Sequence, residues 1–374
     1  MSNVFRECRR CVMNNAIDVE IRFNADDLCH HCQRYDATHQ DRLFHDQPEK
    51  LEQLIETIKR KGRGRQYDCL IGVSGGVDST YVALLTKQYG LRPLAVHLDN
   101  GWNSEVAVSN IFKCMKALDI DLHTEVLNWR EFKALQLAFI RAGVPDGEVP
   151  TDHAIFATMW KFARKFKIPT ILSGMNYHTE SISVPNWSYG HSDFRYINAI
   201  NKRFGTSELK TYAHFSLWYL LYLNATGAVK TASILNYLPY DKQQVKQRIQ
   251  DELGWVDYGG KHHESLYTRF YQGHVLPVYF NIDKRYGHLS DLINAKQKTR
   301  DEALRELEEP TYPLDMQEKD LAFVASKFDM EKDELLEILN GPKRSFRDFP
   351  NQQGLLTTFK TAVNTLRKFG LYPR

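Results

Sequence analysis

Three features of the chain predict an α/β fold built on a doubly wound parallel sheet. Short apolar runs alternate with longer helical patterns between about residues 69 and 174, and one run ends in Ser74-Gly75-Gly76-Val77-Asp78-Ser79. Two Cys-x-x-Cys pairs precede this alternation and mark a separate N-terminal ribbon. Strands and helices that alternate in this way wind into a parallel sheet with ligands at the carboxyl ends of its strands. At 374 residues the chain exceeds the usual size of one domain, so a sizeable core with smaller appendages is expected.

The ribbon comes first. Cys8-x-x-Cys11 and Cys29-x-x-Cys32 are separated by seventeen residues, a spacing that suits a four-cysteine zinc ribbon. Each pair presents two thiolates on one knuckle, and four sulfurs surround Zn²⁺ at about 2.3 Å with no position left for water. The site is therefore read as structural, with an iron–sulfur cluster or free thiols as the alternatives. His30 and His31, between the second pair, are left out of the ligand set. Clustered cysteines in this pattern suit metal ligation in a reducing compartment better than disulfides.

A helical pattern over residues 48–58 leads into Lys59-Arg60-Lys61-Gly62-Arg63-Gly64-Arg65, read as a solvated linker between ribbon and core. Cys69-Leu70-Ile71-Gly72-Val73 reads as a buried parallel strand, and the residues from Ser79 to Leu85 as the helix after it. The run from Leu94 to Leu98 is a second strand ending at Asp99, with a helix from about Ser104. A third strand near residues 123–127 precedes helical segments around 131–142 and 152–166. The fourth, Thr170-Ile171-Leu172-Ser173, ends at Gly174. Beyond Glu180 the alternation gives way to an aromatic-rich, mostly helical pattern, whose most apolar piece, Phe215 to Leu223, is core or a partner face. The tail from about Lys296 is charged and helical, with two short helices meeting near Asp329.

Composition limits the partners. With 49 Lys plus Arg against 46 Asp plus Glu, the charge of +3 does not call for a nucleic acid. The N-terminus carries no signal-like apolar run, and no stretch approaches the roughly 18 apolar residues of a membrane span, so a cytoplasmic protein is expected.

The glycine-rich stretch carries the first chemistry. Gly75 and Gly76 let successive backbone N–H groups converge on phosphate oxygens at a helix N-terminus, and Ser74 and Ser79 add hydroxyl donors. Asp78 would be repelled by a phosphate unless it binds Mg²⁺ or fixes the loop. The stretch lacks the Gly-Lys-Ser/Thr ending of a Walker A loop and the GxGxxG of dinucleotide folds.

Ser-Gly-Gly-Val-Asp-Ser after a strand resembles the PP-loop of the ATP pyrophosphatases, a group that includes asparagine, GMP and NAD synthetases. The resemblance implies that ATP binds with its pyrophosphate on residues Ser74 to Ser79. It also implies that adenosine lies across the ends of the first, second and fourth strands, at Val73, at His97, Leu98 and Asp99, and at Gly174. Met175 and Asn176 would then face nucleotide or substrate. A substrate oxygen attacks the α-phosphorus in that group, and a nitrogen or sulfur nucleophile displaces the adenylate.

A second polar concentration follows at Gly259-Gly260-Lys261-His262-His263-Glu264-Ser265, with Arg269 and Asp283-Lys284-Arg285 beyond it. Cations and a proton-transfer pair between glycines suggest a reaction site, and a salt-bridge network closing the appendage over the sheet is the plainer alternative. Together with the ribbon and the loop, this segment resembles the bacterial N-acetyl sugar amidotransferases, from the first cysteine pair to about residue 290. That resemblance implies conversion of an acetamido group on an N-acetylated sugar of surface glycans to an acetamidino group. Asp78, Lys261, His263, Glu264, Arg269 and Lys284 are then the catalytic candidates, with Lys261, Arg269 and Lys284 on phosphate charge. His263 and Glu264 would orient the sugar or take a proton from ammonia, and Asn176 and His262 would touch the sugar.

Ammonia must come from elsewhere. A glutaminase needs an activated cysteine, yet residue 2 is serine and neither Cys69 nor Cys114 sits on a glycine elbow. A separate glutaminase partner is expected, and the resemblance implies a two-subunit supply similar to the histidine-pathway glutaminase and cyclase. The rival reading is a tRNA thiolase, which would use further catalytic cysteines. The expected units are residues 1–50 (zinc ribbon), 60–180 (ATP-binding core), 181–290 (substrate and partner region) and 291–374 (helical tail).

Overall fold

The computed structural model describes residues 4–260 and 263–368. Five strands form one parallel sheet in the order β3-β2-β1-β4-β5: β1 Cys69–Gly72, β2 Pro93–Asp99, β3 Asp121–Val126, β4 Thr170–Ser173 and β5 Lys230–Ser233. Ile71 lies between Ala95 of β2 and Leu172 of β4, so the chain's first strand is central and the winding reverses beside it. The crevice of such a sheet opens at this reversal.

β1, β2 and β4 fall where apolar runs predict them, and β3, a largely polar and half-buried strand, begins two residues before the expected stretch 123–127. β5 corrects the helical reading of residues 181–250: Lys230-Thr231-Ala232-Ser233 pairs in parallel with β4 at the sheet edge. Lys230 and Thr231 are exposed and Ala232 and Ser233 half-buried, which removes the apolar signal by which a buried parallel strand is recognised. The basic segment 59–65 is also not wholly a linker, because the helix Pro48–Gly62 runs into it.

Helix starts follow their caps. Ser104 accepts from the Ala107 amide to open Glu105–Ala117, and Asn128 accepts from the Glu131 amide to open Trp129–Ala142. Apolar side chains of Pro48–Gly62, Val77–Gln88 and Glu105–Ala117 pack on one face of β1 with Ile249 and Trp255. Leu70, Val96 and Ile171 meet Phe162 and Met159 on the other. The tail is helical as expected, with Leu314–Lys327 and Lys332–Asn340 joined at Asp329, whose φ of 57° breaks the helix. Its Val324, Phe328 and Leu335 share a core with Trp102 and Phe132 of the α/β unit.

Candidate functional site

The N-terminal cysteines converge. All four Sγ atoms lie within 4.8 Å of one another and are buried, with Cys11 to Cys29 at 3.7 Å and Cys8 to Cys32 at 3.9 Å. A sulfur tetrahedron around zinc at about 2.3 Å has edges near 3.8 Å, whereas a disulfide needs about 2.05 Å, so the donors fit a tetrahedral ion. The Met13, Cys29 and Cys32 amides donate to Cys11, Cys8 and Cys29 sulfurs, as suits thiolates. Cys8 and Cys29 are pulled to lower pKa by hydrogen bonds from neighbouring thiols, Cys11 first. Asn294, from the helix Arg285–Asn294, places its side-chain amide 3.3 Å from Cys32 Sγ, and its Nδ2 is buried without another partner among the described residues. With the amide turned over, Nδ2 donates to a Cys32 thiolate. His31 instead binds Asp18 at 2.8 Å beside the cluster.

The glycine-rich loop spans the gap from β1 to the helix Val77–Gln88. Gly75 has φ +79°, and a Cβ there would stand 2.4 Å from the Ala107 carbonyl oxygen, so only glycine fits. Ser74 and Ser79 hydroxyls lie 3.2 Å apart, and the Gly76 amide donates to Ser74 Oγ at 3.3 Å. Ser79 Oγ also donates to the Gly76 carbonyl at 3.2 Å. These contacts curl the loop around the N-terminus of its helix, where unpaired amides and the macrodipole favour an anion.

Both neighbouring strands reach this loop. His97, at the end of β2, donates from Nδ1 to the Val73 carbonyl at 2.9 Å and accepts from Asn103 Nδ2 at Nε2, 3.3 Å away. Burial lowers its pKa, so a neutral imidazole ties the two strand ends together. Leu98 is half-buried, and Asp99 accepts from the Gly101 amide at 2.9 Å. Gly174, past β4, leaves so little room that a Cβ would lie 3.3 Å from Asp78 Cβ and the Ser79 amide. The residues from Val73 to Ser79, 97 to 99 and 174 are thus contiguous in space.

The polar segment arrives from the other side. Trp255 Nε1 donates to the Gly75 carbonyl at 2.8 Å, and the Tyr258 hydroxyl, hydrogen-bonded to Glu264, faces Gly76. Asn103 and Ser265 form an antiparallel bridge, fixed by Ser104 N to Glu264 O and Leu266 N to Trp102 O, each 2.9 Å. Glu264 is thereby fixed above the phosphate loop. Lys261 and His262 lie outside the described residues.

Behind this bridge opens a cavity of about 710 Å³, lined by His263, Arg269, Lys284, Trp187, His191 and Tyr312 among others. Burial, with Arg269 next, lowers the His263 pKa, so its ring is a neutral acceptor or donor at pH 7. Arg269 forms two 2.7 Å hydrogen bonds to buried Asp320, which commits one edge of its guanidinium to structure. Lys284 is 3.3 Å from Glu148, and Arg285 is held by Asp283 at 2.8 Å. The salt-bridge alternative thus describes Arg269 and Arg285, while Lys284 is held more loosely. Asn176 is buried outside the cavity lining, and its Oδ1 accepts from the Thr179 amide and hydroxyl.

Tyr240, Trp255, Tyr258 and Asn103 were not legible as site residues. Tyr240 follows β5 and donates to the Asp78 carboxylate across 162 residues of sequence. The other two cysteines are buried, Cys69 with its pKa pushed far up and Cys114 pushed up to about 11, both by burial first. Neither is a thiolate at neutral pH.

The model of the family described as "LPS biosynthesis protein WbpG-like, C-terminal domain" matches residues 264–366. The match covers the C-terminal part of the chain alone, which is similar to that family over these residues. The matched segment begins at Glu264 and contains Arg269, Lys284 and Tyr312 of the cavity lining. Over 75 residues the chain is 36% identical to a glutamine-hydrolysing GMP synthase of Pyrobaculum aerophilum, covering 20% of this chain and 14% of that protein. The ammonia-dependent NAD synthetase of Campylobacter jejuni is 16% identical at a TM-score of 0.28, covering 57% of this chain and 99% of that one. The structure of a predicted subunit of tRNA methyltransferase from Methanocaldococcus jannaschii is 12% identical at a TM-score of 0.28, covering 48% of this chain and 74% of that one. Likenesses at this score carry no argument about chemistry, and the parallel sheet stands on its own strand pairing.

Proposed function

We propose that the chain is an ATP-dependent amidotransferase that releases AMP and pyrophosphate and converts an N-acetyl sugar to its acetamidino form. The observation that carries this reading is the Asn103–Ser265 bridge, which sets Glu264 over the phosphate loop with a polar cavity directly behind it. Nucleotide and acceptor then meet across one short segment. The WbpG-like match, with its lipopolysaccharide wording, supports a sugar of surface glycans as the acceptor.

In this reading the acetamido oxygen attacks the α-phosphorus and the bond to pyrophosphate breaks. Ammonia then adds to the imidate carbon, loses protons, and AMP departs with the former amide oxygen. Converting the amide oxygen to a phosphate ester is necessary because it is a poor leaving group. Backbone amides at Gly76 and Val77, with Ser74 and Ser79, take the pyrophosphate charge, and Mg²⁺ fits beside the Asp78 carboxylate. Tyr258 and Glu264 would yield this position to the phosphates. Neutral His263 and Glu264 are the groups placed to accept protons from ammonia, and Lys284 faces the acceptor side. A separate glutaminase supplies ammonia, zinc holds the ribbon as a structural ion, and the reaction is cytoplasmic.

The test incubates the protein with ATP, Mg²⁺ and ammonium and a panel of N-acetylated nucleotide sugars, with bulk tRNA as comparison. Sugar-dependent pyrophosphate release and a product about one mass unit lighter than the acceptor are expected, since NH replaces O. Release that requires tRNA and a sulfur donor would replace this reading with a thiolase.

A further inference from the structure

The basic run Lys59-Arg60-Lys61-Gly62-Arg63-Gly64-Arg65 plays no part in the phosphate loop. It lies at the opposite pole of the sheet, because it precedes the N-terminal end of β1 while the loop follows the C-terminal end. Other cations gather there. Arg65 donates to the carbonyl of Lys167, just before β4, and Lys230 opens β5 with its amide on the Pro169 carbonyl. Arg65, Arg164, Lys167 and Lys230 are exposed, and none is in an ion pair among the described residues.

Against this ring lies the helix Leu217–Thr226, which has the sequence LWYLLYLNAT and no charged side chain. An ordinary surface helix turns a polar face to water. This one leaves Trp218 75% and Tyr222 56% exposed. The apolar surface continues through Tyr219 to Trp160, 6.2 Å away between ring centroids, and on to half-exposed Phe156. A groove of about 460 Å³ joins the two features, with Arg65, Arg164 and Lys167 on one side and Tyr219, Tyr222 and Leu223 on the other.

We propose that this pole docks on an anionic membrane surface, with Trp218 and Tyr222 in the headgroup–acyl boundary and Arg65, Arg164, Lys167 and Lys230 on lipid phosphates. Charge complementarity selects the occupant. Exposed Trp218 and Tyr222 rimmed by Lys and Arg match the layered polarity of a bilayer interface, whose anionic headgroups attract each nearby cation. A second copy would bring two cationic rims together. A nucleic acid would find no charged or amide side chain on the helix before Asn224 to read its bases. Docking by this pole leaves the carboxyl ends of the strands, and the cavity beside them, facing solvent.

The full chain would be sedimented with vesicles of phosphatidylglycerol and phosphatidylethanolamine, and with phosphatidylcholine vesicles as control. Binding is expected on the anionic vesicles alone, with loss as salt rises from about 0.05 to about 0.5 M. The double variants Trp218→Ser/Tyr222→Ser and Arg164→Glu/Lys167→Glu should each weaken it at least about tenfold while ATP turnover and thermal midpoint stay unchanged, since all four side chains are exposed. A blue shift of tryptophan emission on binding should disappear in Trp218→Ser. No binding by the natural chain, equal binding by both variants, or loss in these variants of RNA binding or self-association instead of vesicle binding would each overturn the proposal.

Discussion

The Tyr240 hydroxyl donates a hydrogen bond to the carboxylate of Asp78, joining the chain beyond edge strand β5 to the phosphate loop beside central β1. Tyr240 is buried, and burial followed by the Asp78 charge pushes its pKa far up, so it remains a donor at every working pH. Asp78 is thereby aimed before any ligand arrives. Tyr240→Phe should lower stability by about 1 kcal/mol, the net value of such a bond, and lower kcat/KM for pyrophosphate release about tenfold. Urea unfolding and a pyrophosphate assay separate the two effects.

Gly75→Ala should abolish turnover and destabilise the fold by at least about 2 kcal/mol, because its positive φ and the Ala107 carbonyl at 2.4 Å leave no place for Cβ. Ser74→Ala removes a hydroxyl whose contacts within the protein are confined to the loop, and should leave stability within about 1 kcal/mol while weakening nucleotide binding. Nucleotide titration by calorimetry distinguishes them.

Zinc retention should depend on Asn294 as well as on the cysteines. Asn294→Ala removes the amide next to Cys32 and should weaken zinc binding about 10- to 100-fold, with chelator competition as the measurement. Cys32→Ser should release zinc altogether, and elemental analysis of the purified variant would read this directly. Retention of metal by Cys32→Ser would remove Cys32 from the ligand set.

Acid should destabilise the protein through buried histidines. His153 donates from Nδ1 to the His191 carbonyl at 3.0 Å and accepts the Phe215 amide at Nε2, 3.3 Å away, so protonation costs a hydrogen bond. Burial pushes its pKa down to about 4 from 6.5. The unfolded chain therefore binds a proton as pH falls below 6.5 and the folded chain does not until about 4, so stability drops across that interval. His178, likewise pushed down to about 4, adds to the same limb. His153→Gln should be less stable at pH 7 yet lose less between pH 7 and 5, as read by urea midpoints.

Glu264→Gln keeps the backbone bridge, which uses only the Glu264 carbonyl, and should fold normally. If the carboxylate takes a proton from ammonia, turnover falls at least about 100-fold and the pH profile loses a limb. A profile unchanged in shape would leave Glu264 a spacer beside Tyr258.

Residues near one another in sequence told most of what the chain alone determined. The cysteine knuckles, the loop from Ser74 to Ser79 and strands β1 to β4 are each coded by a short pattern, because a knuckle, an anion-binding turn and a buried strand are local devices. That His97, Asp99 and Gly174 lie near the loop was implied by the resemblance to the ATP pyrophosphatases rather than by any short pattern of their own. Edge strand β5 left no such trace, being four residues long with two of them exposed. What only the tertiary structure decided are the long-range pairs: Tyr240 on Asp78, Trp255 on Gly75, Asn294 on Cys32 and Arg269 on Asp320. Each joins polar groups whose partner is chosen by how distant elements pack, and no period or spacing along the chain records that choice.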